Sequence, residues 1–221
     1  MEMDEEKQSR IQYKDLSQLI SMSIVAPRCI IRPRGKVIAV DIDEVLCPFL
    51  KPMMKWRGLK PDEEQYHPYI FSTIMNISER ESQQMVQDFY NTEEFANITP
   101  LSGAQAGIAY LKGRGHRLYA VTGRQSSVRT KTETWLDTYF PYAFDDLVIT
   151  NSYTPCEISK SDICRALNIG LIIDDNLRIC MDCESQHIRS VNFIGDPVYP
   201  WCQDNELAVR RWDDIICSTI V

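Results

Sequence analysis

The run Val37-Ile38-Ala39-Val40 ends on two aspartates, Asp41 and Asp43, and that ending constrains the fold more than any other feature of the chain. Four apolar residues in succession suit a strand buried on both faces, the kind found in parallel sheets. Carboxylates do not lie inside such a strand, so Asp41 and Asp43 belong at its carboxyl end. Open α/β sheets hold their ligands in the crevice beyond those ends. Two residues apart, the carboxylates face the same way along an extended chain, and a bend can re-aim the second. One can then attack an electrophile while the other moves protons.

Three further places supply partners, in chain order. His116-Arg117-Leu118-Tyr119-Ala120-Val121-Thr122 reads as a second strand, stopped by the turn Thr122-Gly123. A hydroxyl and free backbone N–H groups there can hold phosphate oxygens. Lys160 follows Ser159, a helix N-terminal signal completed by Asp162. A lysine in a first turn opposes the helix dipole, and an anion contact would explain it. The third place is Asp174-Asp175, which closes the run Leu171-Ile172-Ile173. Adjacent carboxylates at a buried strand end repel each other unless a cation or protons intervene. With Asp41 they would form a hard, all-oxygen site suited to Mg²⁺.

Asp41-Ile42-Asp43-Glu44-Val45 resembles the D-x-D-x-[TV] first motif of the haloacid dehalogenase-like hydrolase superfamily, with Thr122, Lys160 and Asp174-Asp175 matching its other three motifs. Phe95, Pro100-Leu101-Ser102-Gly103-Ala104 and Arg211-Trp212-Asp213-Asp214 make the chain similar to the 5'(3')-deoxyribonucleotidase-like branch. It differs at two positions. The branch has Gly where this chain has Glu44, and Thr-Ser where it has Thr122-Gly123.

The resemblance implies a doubly wound, Rossmann-like parallel α/β core with a mainly helical cap inserted after the first strand. It also implies a Mg²⁺-dependent phosphomonoesterase with Asp41 as nucleophile and Asp43 as acid and base. Asp41, the Asp43 carbonyl and Asp175 would hold the metal, with Asp174 as the neighbouring acid. Thr122, Gly123 and Lys160 would bind the phosphoryl group. Phe49 occupies the position where the branch stacks an aromatic on a base; packing within the cap is the other reading. Arg124 could meet a second anionic group or face solvent. The substrate expected is a small phosphorylated metabolite such as a nucleoside monophosphate. Two alternatives stay open, a phosphoserine phosphatase of the C-terminal-domain type and a non-catalytic binding protein on the same fold.

Composition narrows the partners. A net charge of −7 with no basic block argues against a nucleic-acid polymer. No apolar stretch approaches a membrane span. The eight cysteines are scattered, which suits a reduced, cytoplasmic setting better than a disulfide framework. Cys180 and Cys183 have the spacing of half a zinc site but lack a second pair, so they read as structural thiols. A homo-oligomer stays open.

Along the chain, residues 1–33 read as an N-terminal extension with one amphipathic helix over 11–24. Residues 34–46 and 101–221 read as the core, and 47–100 as the cap insertion, where helix–strand alternation lapses. The pattern predicts helices over 79–95, 104–112, 126–138, 159–167, 176–186 and 206–217, with a loop at 59–69. Strands are expected at 116–122, 147–150, 171–174 and 188–194. Strands alternating with helices imply a parallel sheet.

Overall fold

The computed structural model describes residues 35–60 and 70–217. The extension at 1–33, its helix and most of the loop at 59–69 lie outside the described residues.

Six parallel strands form one sheet in the order β3-β2-β1-β4-β5-β6. They are β1 (Val37–Val40), β2 (Arg117–Thr122), β3 (Asp146–Ile149), β4 (Leu171–Asp174), β5 (Arg189–Phe193) and β6 (Ala208–Val209). This is the expected doubly wound arrangement. The strand order reverses beside β1, which pairs with β2 on one side and with β4 on the other. A crevice therefore opens where β1 and β4 end.

Side-chain alternation divides the core into two layers. Ile38, Val40, Leu118, Leu171 and Ile173 face one cluster, whereas Ala39, Val121 and Ile172 face another. The second cluster takes Ile163 and Cys164 from helix α7 (Lys160–Ala166) and Cys183 from α8 (Leu177–Ser185). The first takes Ala104, Ile108 and Leu111 from α5 (Ala104–Gly113), with Leu136 from α6 (Arg129–Tyr139) and Trp212 from α9 (Trp212–Cys217). Gly107 lets α5 and α9 meet, because a Cβ there would run into the Trp212 ring.

Between β1 and α5 the described residues form four helices: α1 (Leu50–Trp56), α2 (Phe71–Met75), α3 (Glu79–Phe89) and α4 (Glu93–Ala96). Ser78 and Glu81 close a reciprocal capping box at the start of α3. The single helix expected over 79–95 is two. Thr92 accepts the Phe95 N–H at 3.1 Å and starts a new turn, so a local side-chain bond outcompetes helix continuation. The closing helix expected over 206–217 is also shorter. Ile194 donates its N–H to the Val209 carbonyl at 2.8 Å, which draws 208–209 into the sheet as β6 and leaves only Trp212–Cys217 helical. In the helix expected over 126–138, Ser126–Val128 form a 3-10 turn before α6.

Candidate active site

The strand ends converge as their register requires. Asp41 donates its N–H to the Ile173 carbonyl at 2.9 Å, extending the β1–β4 ladder by one bond and setting Asp41 beside Asp174 and Asp175. Lys160, in the first turn of α7, inserts its ammonium between them. Its Nζ lies 2.8 Å from Asp41 Oδ2 and 2.7 Å from Asp174 Oδ2. Ser159 begins that helix by accepting the Asp162 N–H at 3.1 Å. Asp174 Oδ1 accepts the Asn176 N–H at 2.9 Å, and Asp175 Oδ2 accepts the Trp201 indole N–H at 3.0 Å.

Three buried carboxylates share one ammonium, and the electrostatics record the imbalance. Burial pushes the Asp41 carboxyl up to about 7, against the pull of Lys160 and with the push of Asp174. Burial and then the charges of Asp174 and Asp41 hold the Asp175 carboxyl well above the usual range. Burial opposes the Lys160 charge, yet Asp174 and Asp41 keep its pKa above the ordinary lysine value. Among the described residues, Asp41, Asp174 and Asp175 can bring ligand oxygens within 4.8 Å of one another. Excess negative charge on hard oxygen donors fits a divalent cation of the Mg²⁺ type.

Asp43 is held differently. Arg124 Nε donates to both of its carboxylate oxygens at 3.2 and 3.0 Å, and Nη2 lies 2.6 Å from Oδ1. Nη1 donates to Thr132 Oγ1 at 3.2 Å, and the guanidinium sits 5.0 Å over the Phe95 ring. Arg124 is 3% exposed. The guanidinium therefore faces neither solvent nor an open position for a second anion. It is committed to Asp43, with planar bidentate geometry that a lysine could not reproduce.

Glu44 accounts for one of the two departures from the branch pattern. Its backbone is left-handed, with φ 64°, a conformation that glycine adopts without strain. Its buried side chain accepts the N–H groups of Phe49 and Leu50 at 3.0 and 2.7 Å, satisfying the start of α1. Burial pushes this carboxyl up to about 7, with those two N–H groups opposing.

A cleft of about 220 Å³ joins Asp41, Asp43, Phe49, Gly123, Arg124, Lys160, Asp174 and Asp175. Thr122 is fully buried at the end of β2, and its hydroxyl accepts the Arg124 N–H at 3.3 Å, so Gly123 and not Thr122 lines the cleft. Phe49 is 2% exposed. Its ring packs against Phe71, Phe89, Tyr90 and Phe95 with centroids 5.4–6.3 Å away. Little of its ring reaches the cleft wall, and the cap-core reading of Phe49 is the one its surroundings favour. The seven described cysteines are free thiols. Cys180 and Cys183 are buried in the core.

Sequence reasoning missed Trp201 as the partner of Asp175 and Arg124 as the partner of Asp43. Neither carries a local signal, since each meets its partner across 26 and 81 residues of chain. Glu44 did carry one, as an acid where the branch has glycine.

The solved structures similar to this chain have the same fold. A haloacid dehalogenase-like family hydrolase from Streptococcus pneumoniae is 13% identical with a TM-score of 0.59, covering 82% of this chain and 97% of the other. A predicted phosphatase from Clostridium acetobutylicum is 14% identical with a TM-score of 0.55, over 82% and 97% of the two chains. A haloacid dehalogenase family hydrolase from Deinococcus radiodurans, solved with bound phosphate and sodium, is 11% identical with a TM-score of 0.54, over 83% and 94%. No curated protein matches the sequence. The family model described as 5' nucleotidase, deoxy (pyrimidine), cytosolic type C protein matches residues 35–188, from the start of β1 through the end of α8. The chain therefore belongs to that family, on the nucleotidase side of the haloacid dehalogenase-like superfamily, and is a phosphatase.

Proposed function

We propose that the protein hydrolyses small phosphomonoesters, such as a nucleoside monophosphate, with Mg²⁺ and through an aspartyl-phosphate on Asp41. The observation that carries this reading is the placement of Asp41 at the cleft floor, 2.8 Å from Lys160 and beside Asp175. Asp41 attacks phosphorus, its new O–P bond forming as the bond to the leaving alcohol breaks. Asp43 supplies the proton that the alcohol needs. It then takes one from the water that cleaves the acyl phosphate and returns Asp41. Arg124 sets the direction of the Asp43 carboxyl by its two contacts to Oδ1, and Oδ2, with the single Nε contact, is the oxygen that carries the proton.

Lys160 and the backbone N–H groups around Gly123 receive the phosphoryl oxygens, with the Thr122 hydroxyl behind them. Mg²⁺, held by Asp41, the Asp43 carbonyl and Asp175, would offset the charge of carboxylate and phosphate. Of the two late acids we assign direct ligation to Asp175, because Asp174 has its oxygens on Lys160 and on the Asn176 N–H. The described residues of 47–100 serve as the cap that shapes the leaving-group side of the cleft, to which Phe71, Gln83 and Tyr90 contribute. The free, buried thiols support a reducing, cytoplasmic setting.

Phosphate release across nucleoside monophosphates and simple esters tests the reading. Asp41→Asn should lower turnover by several orders of magnitude, on the scale of other lost nucleophiles. Chelation should abolish activity and Mg²⁺ restore it. Turnover retained by Asp41→Asn, or after exhaustive chelation, would refute the mechanism.

A further inference from the structure

The cleft holds more acid than base, and its bases are already taken. Among the described residues that line it, the carboxylates are Asp41, Asp43, Glu79, Asp174 and Asp175, and the only cations are Arg124 and Lys160. Arg124 is 2.6 Å from Asp43, and Lys160 is 2.8 and 2.7 Å from Asp41 and Asp174. Both cations are buried. Neither can turn to a second anion without stripping a carboxylate of the proposed chemistry.

The outer wall adds no compensation. Gln83, Gln87 and Gln125 offer neutral amides, while the Glu79 carboxylate has Ser72 Oγ at 2.8 Å and Gln83 Nε2 at 3.3 Å, both neutral donors.

We propose that this cleft selects phosphate esters whose leaving alcohol is uncharged or cationic, and rejects those carrying a second anionic group, with Glu79 as the residue that sharpens the choice. The inference rests on the phosphatase reading above and narrows its substrate class. The one transferring phosphate is met by Lys160 and the backbone N–H groups around Gly123. A further carboxylate or phosphate on the leaving group would meet no free cation among the described lining residues, only neutral amides and hydroxyls, aromatic and aliphatic side chains, and Glu79. Glu79 is exposed, so its repulsion is screened by salt, while the buried carboxylates Asp41, Asp174 and Asp175 act through the less polar interior.

Two matched sets test this. One compares ethyl phosphate, O-phosphoethanolamine and phosphoglycolate, which are similar in size but have neutral, cationic and anionic leaving groups. The other compares a nucleoside 5'-monophosphate with the corresponding 3',5'-bisphosphate. In each set kcat/KM for the anionic member should be lower by at least about tenfold, the factor given by roughly 1.4 kcal/mol of repulsion. The ratio should shrink in high salt, which a steric cause would not produce. Glu79→Gln should narrow it about threefold. Equal turnover of phosphoglycolate and ethyl phosphate, or of the mono- and bisphosphate, would overturn this inference and leave the phosphatase reading standing. Failure to hydrolyse any ester would overturn both.

Discussion

Lys160→Met isolates the electrostatic economy of the site, because methionine nearly matches the lysine stem but carries no charge. In the wild type one ammonium, 6% exposed, contacts Asp41 at 2.8 Å and Asp174 at 2.7 Å. Removing one member of a buried ion pair costs about 3–5 kcal/mol, since the remaining charge is left in a poor solvent. For a folded unit of this size each kcal/mol moves the melting temperature by roughly 2–4 °C. The variant should therefore melt about 6–20 °C lower in metal-free buffer. The gap should widen as pH rises above 7, because burial pushes the Asp41 carboxyl up to about 7 even against the pull of Lys160; without the ammonium it rises further and at lower pH takes up a proton instead of remaining unpaired. Millimolar Mg²⁺ should restore part of the loss, since a cation that binds only the folded state stabilises it. Adding Asp174→Asn to Lys160→Met should regain stability, as the second change removes one of the stranded charges. Thermal melts followed by circular dichroism, with and without chelator, read all three effects. A Lys160→Met protein that melts within about 2 °C of wild type in chelator would refute the view that this ammonium compensates the carboxylate cluster.

Two other variants test residues outside the motif set. Trp201→Phe keeps an aromatic ring to stack on Tyr199, at 5.0 Å, but deletes the N–H that holds Asp175 Oδ2, so Mg²⁺ affinity by calorimetry should weaken at least about tenfold; an unchanged dissociation constant would remove Trp201 from the support of the site. Glu44→Gly relieves a left-handed backbone but strands the Phe49 and Leu50 N–H groups, so urea unfolding should show a net loss of about 1–3 kcal/mol, and a variant as stable as wild type would contradict that balance. Glu44→Gln tests the same carboxyl through pH. Its folded pKa of about 7 lies above the usual 4.5, so the folded state binds more protons between those values and the wild type loses stability as pH rises through that window. Glutamine should flatten that slope, removing a loss of up to about 3 kcal/mol; identical pH profiles for the two proteins would refute the assignment.

The fold was legible because its signals are local and periodic. The apolar runs at Val37–Val40 and Leu171–Asp174 are strands with the bounds expected, and Ser159 caps α7 as its spacing with Asp162 requires. The misses follow from competition that periodicity cannot register. At 208–209 a hydrogen-bonding partner on β5 outweighs helical spacing, and at Thr92 one hydroxyl ends a pattern that the apolar residues would have continued.

The chemical inventory of the site was set by the sequence alone. Carboxylates at the ends of two buried strands, a turn after a third, and a lysine in the first turn of a helix must converge once those strands lie side by side in a parallel sheet. The tertiary structure decided how each group is used. It committed Arg124 to Asp43, turned Glu44 into the cap of α1, brought Trp201 to Asp175 and enclosed Phe49 among four other rings. These pairings join residues 5 to 81 positions apart in the chain, or buried faces contributed by several elements. Burial and charge pairing are properties of the packed solid, where distance in space replaces distance along the chain, and no local pattern of residue types encodes them.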